Sequence, residues 1–215
     1  MNNSLWRFVR REFRHAFHAL HPESRRKVAQ WNGADGPAFL REIGIQPGHV
    51  VMDFGCGPGF FCVPAAQIVG ASGMVFAVDQ SPRALRTVRR RAAALALRNV
   101  CVGSSLLEVL TNLNGRPCDF ILLYDMLHFL DLRERRELYS GLHNVLAANG
   151  RLSVHLTHVK DNDPDGHFAK MTVDDGVREI EMAGFCRVGK IPARVWHSYG
   201  AVDSLIWSFV KRSYF

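Results

Sequence analysis

The chain has 215 residues, 47% of them hydrophobic, with 27 Lys and Arg against 20 Asp and Glu and a net charge of +7. That length makes one domain with a sizeable core, and its longest apolar run, residues 120–130, is too short and too broken by Asp125 and His128 to span a bilayer. Arginines among the N-terminal apolar residues exclude a signal-peptide core, and five cysteines (Cys56, Cys62, Cys101, Cys118, Cys186) without a CxxC pair exclude a disulfide frame or zinc knuckle and fit reduced thiols in a cytoplasm.

Residues 4–21 read as an amphipathic helix. Trp6, Val9, Phe13, Phe17 and Leu20 recur at three- and four-residue steps, with Arg7, Arg10, Arg11, Arg14 and His18 largely opposite. A cap over a pocket and a helix lying on a membrane surface both need this pattern, and both readings stand. After a bend at His21 and Pro22, short helices are expected near 23–31 and 36–43. Residues 1–35 are therefore read as a helical leader and 36–215 as the main domain.

The most informative stretch follows. HVVMDFGCGPGFF, residues 49–61, reads as a buried strand running into Gly55, Gly57 and Gly59 and then a helix at 59–69. A second strand, 74–79, ends in Asp79. Glycines let the backbone turn sharply and approach a ligand, and an acid at the tip of the second strand is placed to accept from ribose hydroxyls. The spacing is G-x-G-x-G rather than G-x-G-x-x-G, with Phe60 where the dinucleotide fingerprint has its third glycine. A pyrophosphate needs the bare helix N-terminus, so this loop suits a ligand without phosphate and speaks against a nicotinamide-dependent oxidoreductase.

Beyond it, strands are expected near 99–103, 118–124, 150–156, 184–189 and 204–211, and helices near 82–97, 104–113, 132–147 and 173–183. Alternation of this kind makes an α/β, doubly wound, seven-stranded and mostly parallel sheet. In the helix at 82–97, Leu85, Val88, Ala92 and Leu95 make the core stripe, and Arg83, Arg86, Arg89 and Arg90 make a solvated basic face.

VVMDFGCGPGFF resembles the first motif of the class I S-adenosylmethionine-dependent methyltransferases, of the small single-domain type that includes quinone-pathway and other small-molecule enzymes. Asp53, the three glycines and Asp79 all match. The resemblance implies a Rossmann-like sheet of order 3-2-1-4-5-7-6 with SLIWSFVK as its antiparallel closing strand, a helical cap, and S-adenosylmethionine as cofactor. It sets Asp53 against the methionine amino group, Gly55, Cys56, Gly57, Gly59 and Phe60 around the cofactor, Asp79 against the ribose, and Gln80 and Ser81 against the adenine. Asp53 also reads as a cap of the glycine turn, and Asp79 as the N-cap of the next helix. After the third strand, family members often carry an adenine-binding acid. Here Val102 and Gly103 precede Ser104 and Ser105, so a serine hydroxyl or a backbone group must serve.

The fourth strand, CDFILLYDMLHFL, matches the motif that follows. Its end puts Leu123 beside the cofactor, Tyr124 and Asp125 near the amino group or the substrate, and His128 as candidate general base. His155 and His158, with the DNDPDGH loop at 161–167, raise the question of metal. An H-x-x-H on a strand points its rings to opposite faces, and the calcium-like D-x-D-x-D-G run has Thr172 where the bidentate Glu belongs. No metal site is expected. The anticipated activity is methyl transfer to a small molecule whose acceptor atom is not readable, arsenic being disfavoured because only Cys56 and Cys62 lie near the fingerprint. A membrane-peripheral enzyme on a lipid or quinone and a catalytically silent cofactor-binding protein are the alternatives. Nucleic acid is not expected, since no RNA-binding module or N-P-P-Y-type segment is present.

Overall fold

The computed structural model describes residues 22–165, 168 and 170–212. The amphipathic helix expected at 4–21, its contact with a membrane, and His167 lie outside the described residues. In chain order the elements are α1 (Pro22–Gln30), a π-helical turn (Trp31–Asp35), α2 (Gly36–Glu42), β1 (Val50–Phe54), α3 (Cys62–Val69), β2 (Met74–Val78), α4 (Pro82–Ala94), β3 (Val100–Gly103), α5 (Leu106–Leu113), β4 (Cys118–Tyr124), a short 3-10 turn (Leu127–Phe129), α6 (Leu132–Val145), β5 (Leu146–His155), α7 (Val173–Met182), β6 (Phe185–His197) and β7 (Gly200–Lys211).

The strands form one sheet of order β3-β2-β1-β4-β5-β7-β6. β3, β2, β1, β4 and β5 run parallel, and β7 pairs antiparallel with both β5 and β6. Successive side chains on a strand face opposite ways, so a strand covered on both sides must be apolar throughout. Val51, Phe120 and Leu122 meet α2, α3 and α4 on one face, while Met52, Ile121 and Leu123 meet α5, α6 and α7 on the other. This is the doubly wound α/β sheet expected from the alternation.

Three boundaries differ from the expectation. The two short helices are joined by the π turn into one helical run from 22 to 42, so the division at residue 35 falls inside it. Trp31 is 1% exposed and packs against Phe39, Phe61 and Trp196, which anchors the π turn to the core of the main sheet through that one side chain. β5 starts directly after α6, at Leu146. Finally, β6 and β7 extend to a turn at residues 198–199, because Ile191, Ala193 and Val195 keep strand alternation through a stretch that Pro192 and Arg194 disguise. Pro192 is tolerated there because β6 is the edge strand.

Candidate active site

In an open α/β sheet, ligands lie beyond the carboxyl ends of the strands where the order reverses. Here that point lies between β1 and β4. The glycine loop after β1 occupies it, with Gly55, Gly57 and Gly59 at φ of +82°, +52° and +87°. A Cβ on Gly55 would lie 2.9 Å from Cβ of Met126, and one on Gly59 would press Cys62, Val63 and Val88 at 3.1 Å. Only hydrogen fits at these two positions, so the loop sits flush against the segment that follows β4.

The loop is clamped from outside. Arg91 donates Nη1 to the Pro58 carbonyl at 2.5 Å and Nη2 to Asn32 Oδ1 at 2.7 Å. Trp31 Nε1 donates to the Phe60 carbonyl at 2.8 Å. The Phe60 ring stacks on Trp196 with centroids 4.3 Å apart, so its ring belongs to an aromatic wall.

The acids divide by depth. Asp79 is half-buried; its Oδ2 accepts from the Gly57 amide and its Oδ1 from the Ser81 amide, both at 2.8 Å. An ionised carboxylate has about four acceptor sites, so two remain for a ribose diol, and the position fits that ligand. Asp53 is 2% exposed, and its Oδ2 accepts from the Cys62 amide at 3.0 Å, which caps α3. Burial, with Asp79 nearby, pushes Asp53 up to about 7 despite that hydrogen bond. Ser81 is a buried N-cap of α4, Gln80 is exposed, and Cys56 is buried. Ser105 caps α5, and Ser104 gives its amide and hydroxyl to Glu108 at 2.6 and 2.7 Å. Both serine side chains are therefore engaged with their own helix.

At the end of β4 the expected residues part company. Leu123 is wholly buried, and Tyr124 lies in the core with its hydroxyl 2.6 Å from Ser153 Oγ. Burial raises the Tyr124 phenol far above its ordinary value. Asp125 turns the other way, at φ +52°. Thr157 donates to its Oδ1 at 2.8 Å, and three histidines surround it: His158 Nε2 at 3.5 Å and His128 Nδ1 at 3.9 Å from Oδ1, and His197 Nδ1 at 3.1 Å from Oδ2. His158 Nδ1 is itself 2.7 Å from Asp163 Oδ2. Burial raises Asp125, but the facing imidazoles outweigh it and hold the carboxyl well below its usual range. His158 is raised in turn, chiefly by its contact with Asp125. His155 stands apart, 2.8 Å from Ser204 Oγ, and burial brings it down to about 4.

Sequence reasoning placed Asp125 and His128 together but missed Thr157 and His197, and it treated His158 as strand-borne. His158 follows the end of β5 and has φ +58°, so the strand argument about opposite faces does not reach it. His197 closes β6 across the sheet; the alternation before Ser198, Tyr199 and Gly200 was its available signal. In the calcium-like run, Asp161 caps the Val173 amide and Asp163 holds His158, so these two acids brace the loop.

The comparisons agree with the geometry. A family model described as a methyltransferase domain matches residues 51–150. A probable cobalt-precorrin-6B C(15)-methyltransferase of Saccharolobus solfataricus is 32% identical over 149 residues, 68% of this chain and 66% of its own length. An aklanonic acid methyltransferase of a Streptomyces species is 40% identical over 53 residues, 25% of this chain and 24% of that one. The chain thus spans about two thirds of the first of these relatives and about a quarter of the second. Among solved structures, an S-adenosylmethionine-dependent methyltransferase from Aquifex aeolicus superimposes with a TM-score of 0.64 at 21% identity, over 84% of this chain and 92% of that one. Motif, sheet order and relatives coincide, and the chain belongs to the class I S-adenosylmethionine-dependent methyltransferases.

Proposed function

We propose that this chain methylates a small-molecule acceptor presented at the Asp125 histidine cluster. The observation that carries the reading is adjacency: Met126, next to Asp125, packs against Gly55 of the cofactor loop. S-adenosylmethionine supplies a methyl carbon already activated on a sulfonium, so the protein chiefly aligns groups, excludes water and handles a proton. Asp79 would accept the ribose hydroxyls. Asp53 would meet the methionine amino group, its carboxylate being favoured there by the positive charge. As the sulfur–methyl bond breaks and the acceptor–methyl bond forms, the acceptor's proton passes to the histidines around Asp125, with His128 as the base.

A small acceptor fits a site partly closed by protein: His128 is 8% exposed and the His158 side chain 31%. Relatives named for precorrin, aklanonic acid and arsenite support acceptors of this size. The test is release of S-adenosylhomocysteine from the purified chain incubated with fractionated cell metabolites. His128→Ala should lose turnover at least tenfold while keeping cofactor affinity; full turnover in that variant, or turnover only with RNA, would remove the reading.

A further inference from the structure

Deepening that reading, and resting on it, we propose that Asp125, His128 and His158 form a binding site for a first-row divalent cation, of which zinc is the representative. One donor atom from each of the three lies within 4.8 Å of the others. Ligand atoms about 2.1 Å from a tetrahedral cation stand roughly 3.4 Å apart. The separations from Asp125 Oδ1, 3.5 Å to His158 Nε2 and 3.9 Å to His128 Nδ1, need only slight contraction to meet that.

The surrounding shell is built as a metal shell is. Asp163 Oδ2 can only accept from His158 Nδ1, so that nitrogen carries a hydrogen and Nε2, which faces Asp125, is the nitrogen left to meet a cation. A carboxylate that fixes the far nitrogen of a histidine is the usual support of a histidine ligand. Thr157 holds Asp125 Oδ1 in the same way, and His197 Nδ1 sits 3.1 Å from Oδ2.

Backbone strain points to the same place. Five non-glycine residues among those described have positive φ; two of them, Asp125 and His158, are proposed ligands, and a third, Ser198, adjoins His197. Non-glycine residues in the left-handed region cost free energy and gather where side chains must be aimed. A mixed nitrogen and oxygen donor set favours zinc or iron over magnesium or calcium, which prefer oxygen alone. The cation would lie beside the glycine loop, where the acceptor enters, and would suit an acceptor with an oxygen or anionic donor. With the cation bound, His128 Nδ1 would be a ligand, and the acceptor's proton would pass to a cation-held hydroxide, forming water, in place of the transfer to His128 open to the metal-free site.

The experiment uses untagged full-length protein stripped with chelator and titrated with Zn²⁺ against a chromogenic competitor, with S-adenosylhomocysteine binding measured in parallel. One zinc per chain is expected, unaffected by excess Mg²⁺. Affinity should fall about 100-fold in His158→Ala and ~10- to 100-fold in Asp163→Asn, with nucleoside affinity unchanged in both. Co²⁺ substitution should give a visible spectrum without a sulfur-to-cobalt band. Less than stoichiometric zinc, equal zinc affinity in His158→Ala, or a sulfur-to-cobalt band tracing zinc to Cys101 or Cys186 would overturn the metal site. Such results would leave the methyltransferase reading intact if S-adenosylhomocysteine still binds.

Discussion

Asp79 Oδ2 accepts the amide of Gly57 at 2.8 Å, so the acid that ends β2 also pins the glycine turn that ends β1. The carboxylate proposed for the ribose is thus also the brace of the loop. Asp79→Ala should therefore weaken S-adenosylhomocysteine binding by about 1.5–3 kcal/mol, the usual worth of hydrogen bonds to a charged group. Asp79→Asn should recover only part of this, because its amide nitrogen cannot accept. Calorimetry checks both, and unchanged affinity in the alanine variant would refute the ribose assignment.

Asp53 gives a pH signature. Its folded value near 7 lies above the ordinary 3.8, so the folded chain keeps a proton that the unfolded chain releases. Apoprotein stability should fall as pH rises from about 4 to about 7 and then level off. A cofactor ammonium beside Asp53 favours the ionised form, so S-adenosylmethionine affinity should rise across pH 6 to 7. Asp53→Asn should flatten both trends; melting curves and titrations at several pH values decide it.

Arg135 is 5% exposed, and its Nε and Nη2 meet Glu179 Oε1 and Oε2 at 2.6 and 2.8 Å, joining α6 to α7. Nη1 donates to the Leu130 carbonyl at 2.8 Å. Removing one partner strands a buried charge, so Glu179→Ala should cost about 3–5 kcal/mol. Arg135→Lys should also destabilise, since an ammonium cannot reproduce the two-pronged contact. Urea unfolding followed by fluorescence gives the numbers.

Trp31 should prove part of the domain and not of a detachable leader. Trp31→Ala removes a fully buried ring and the donor to the Phe60 carbonyl, and about 3–5 kcal/mol of stability should go with it. A deletion ending at residue 35 should yield little folded protein. Circular dichroism of both forms is the check.

The parallel half of the sheet was legible because buried strands leave continuous apolar runs between glycine turns, as VVMDF and DFILLY do. The glycine loop and Asp79 were legible for the same local reason: turn geometry is written in adjacent residues. Trp31 was not, since its partners Phe61 and Trp196 lie 30 and 165 positions away in sequence. Nor was the set around Asp125, which the sheet assembles from the ends of β4, β5 and β6. The stacking of Phe60 on Trp196 and the capping of α4 by Ser81 are packing roles that the motif alone does not display.

The most direct measurement is calorimetric titration of the purified chain with S-adenosylmethionine, S-adenosylhomocysteine and NAD under one set of conditions. One molecule of either sulfur nucleoside should bind per chain, with no heat from NAD. Saturable NAD binding, or silence with both sulfur nucleosides in folded protein, would contradict the assignment of the glycine loop and Asp79.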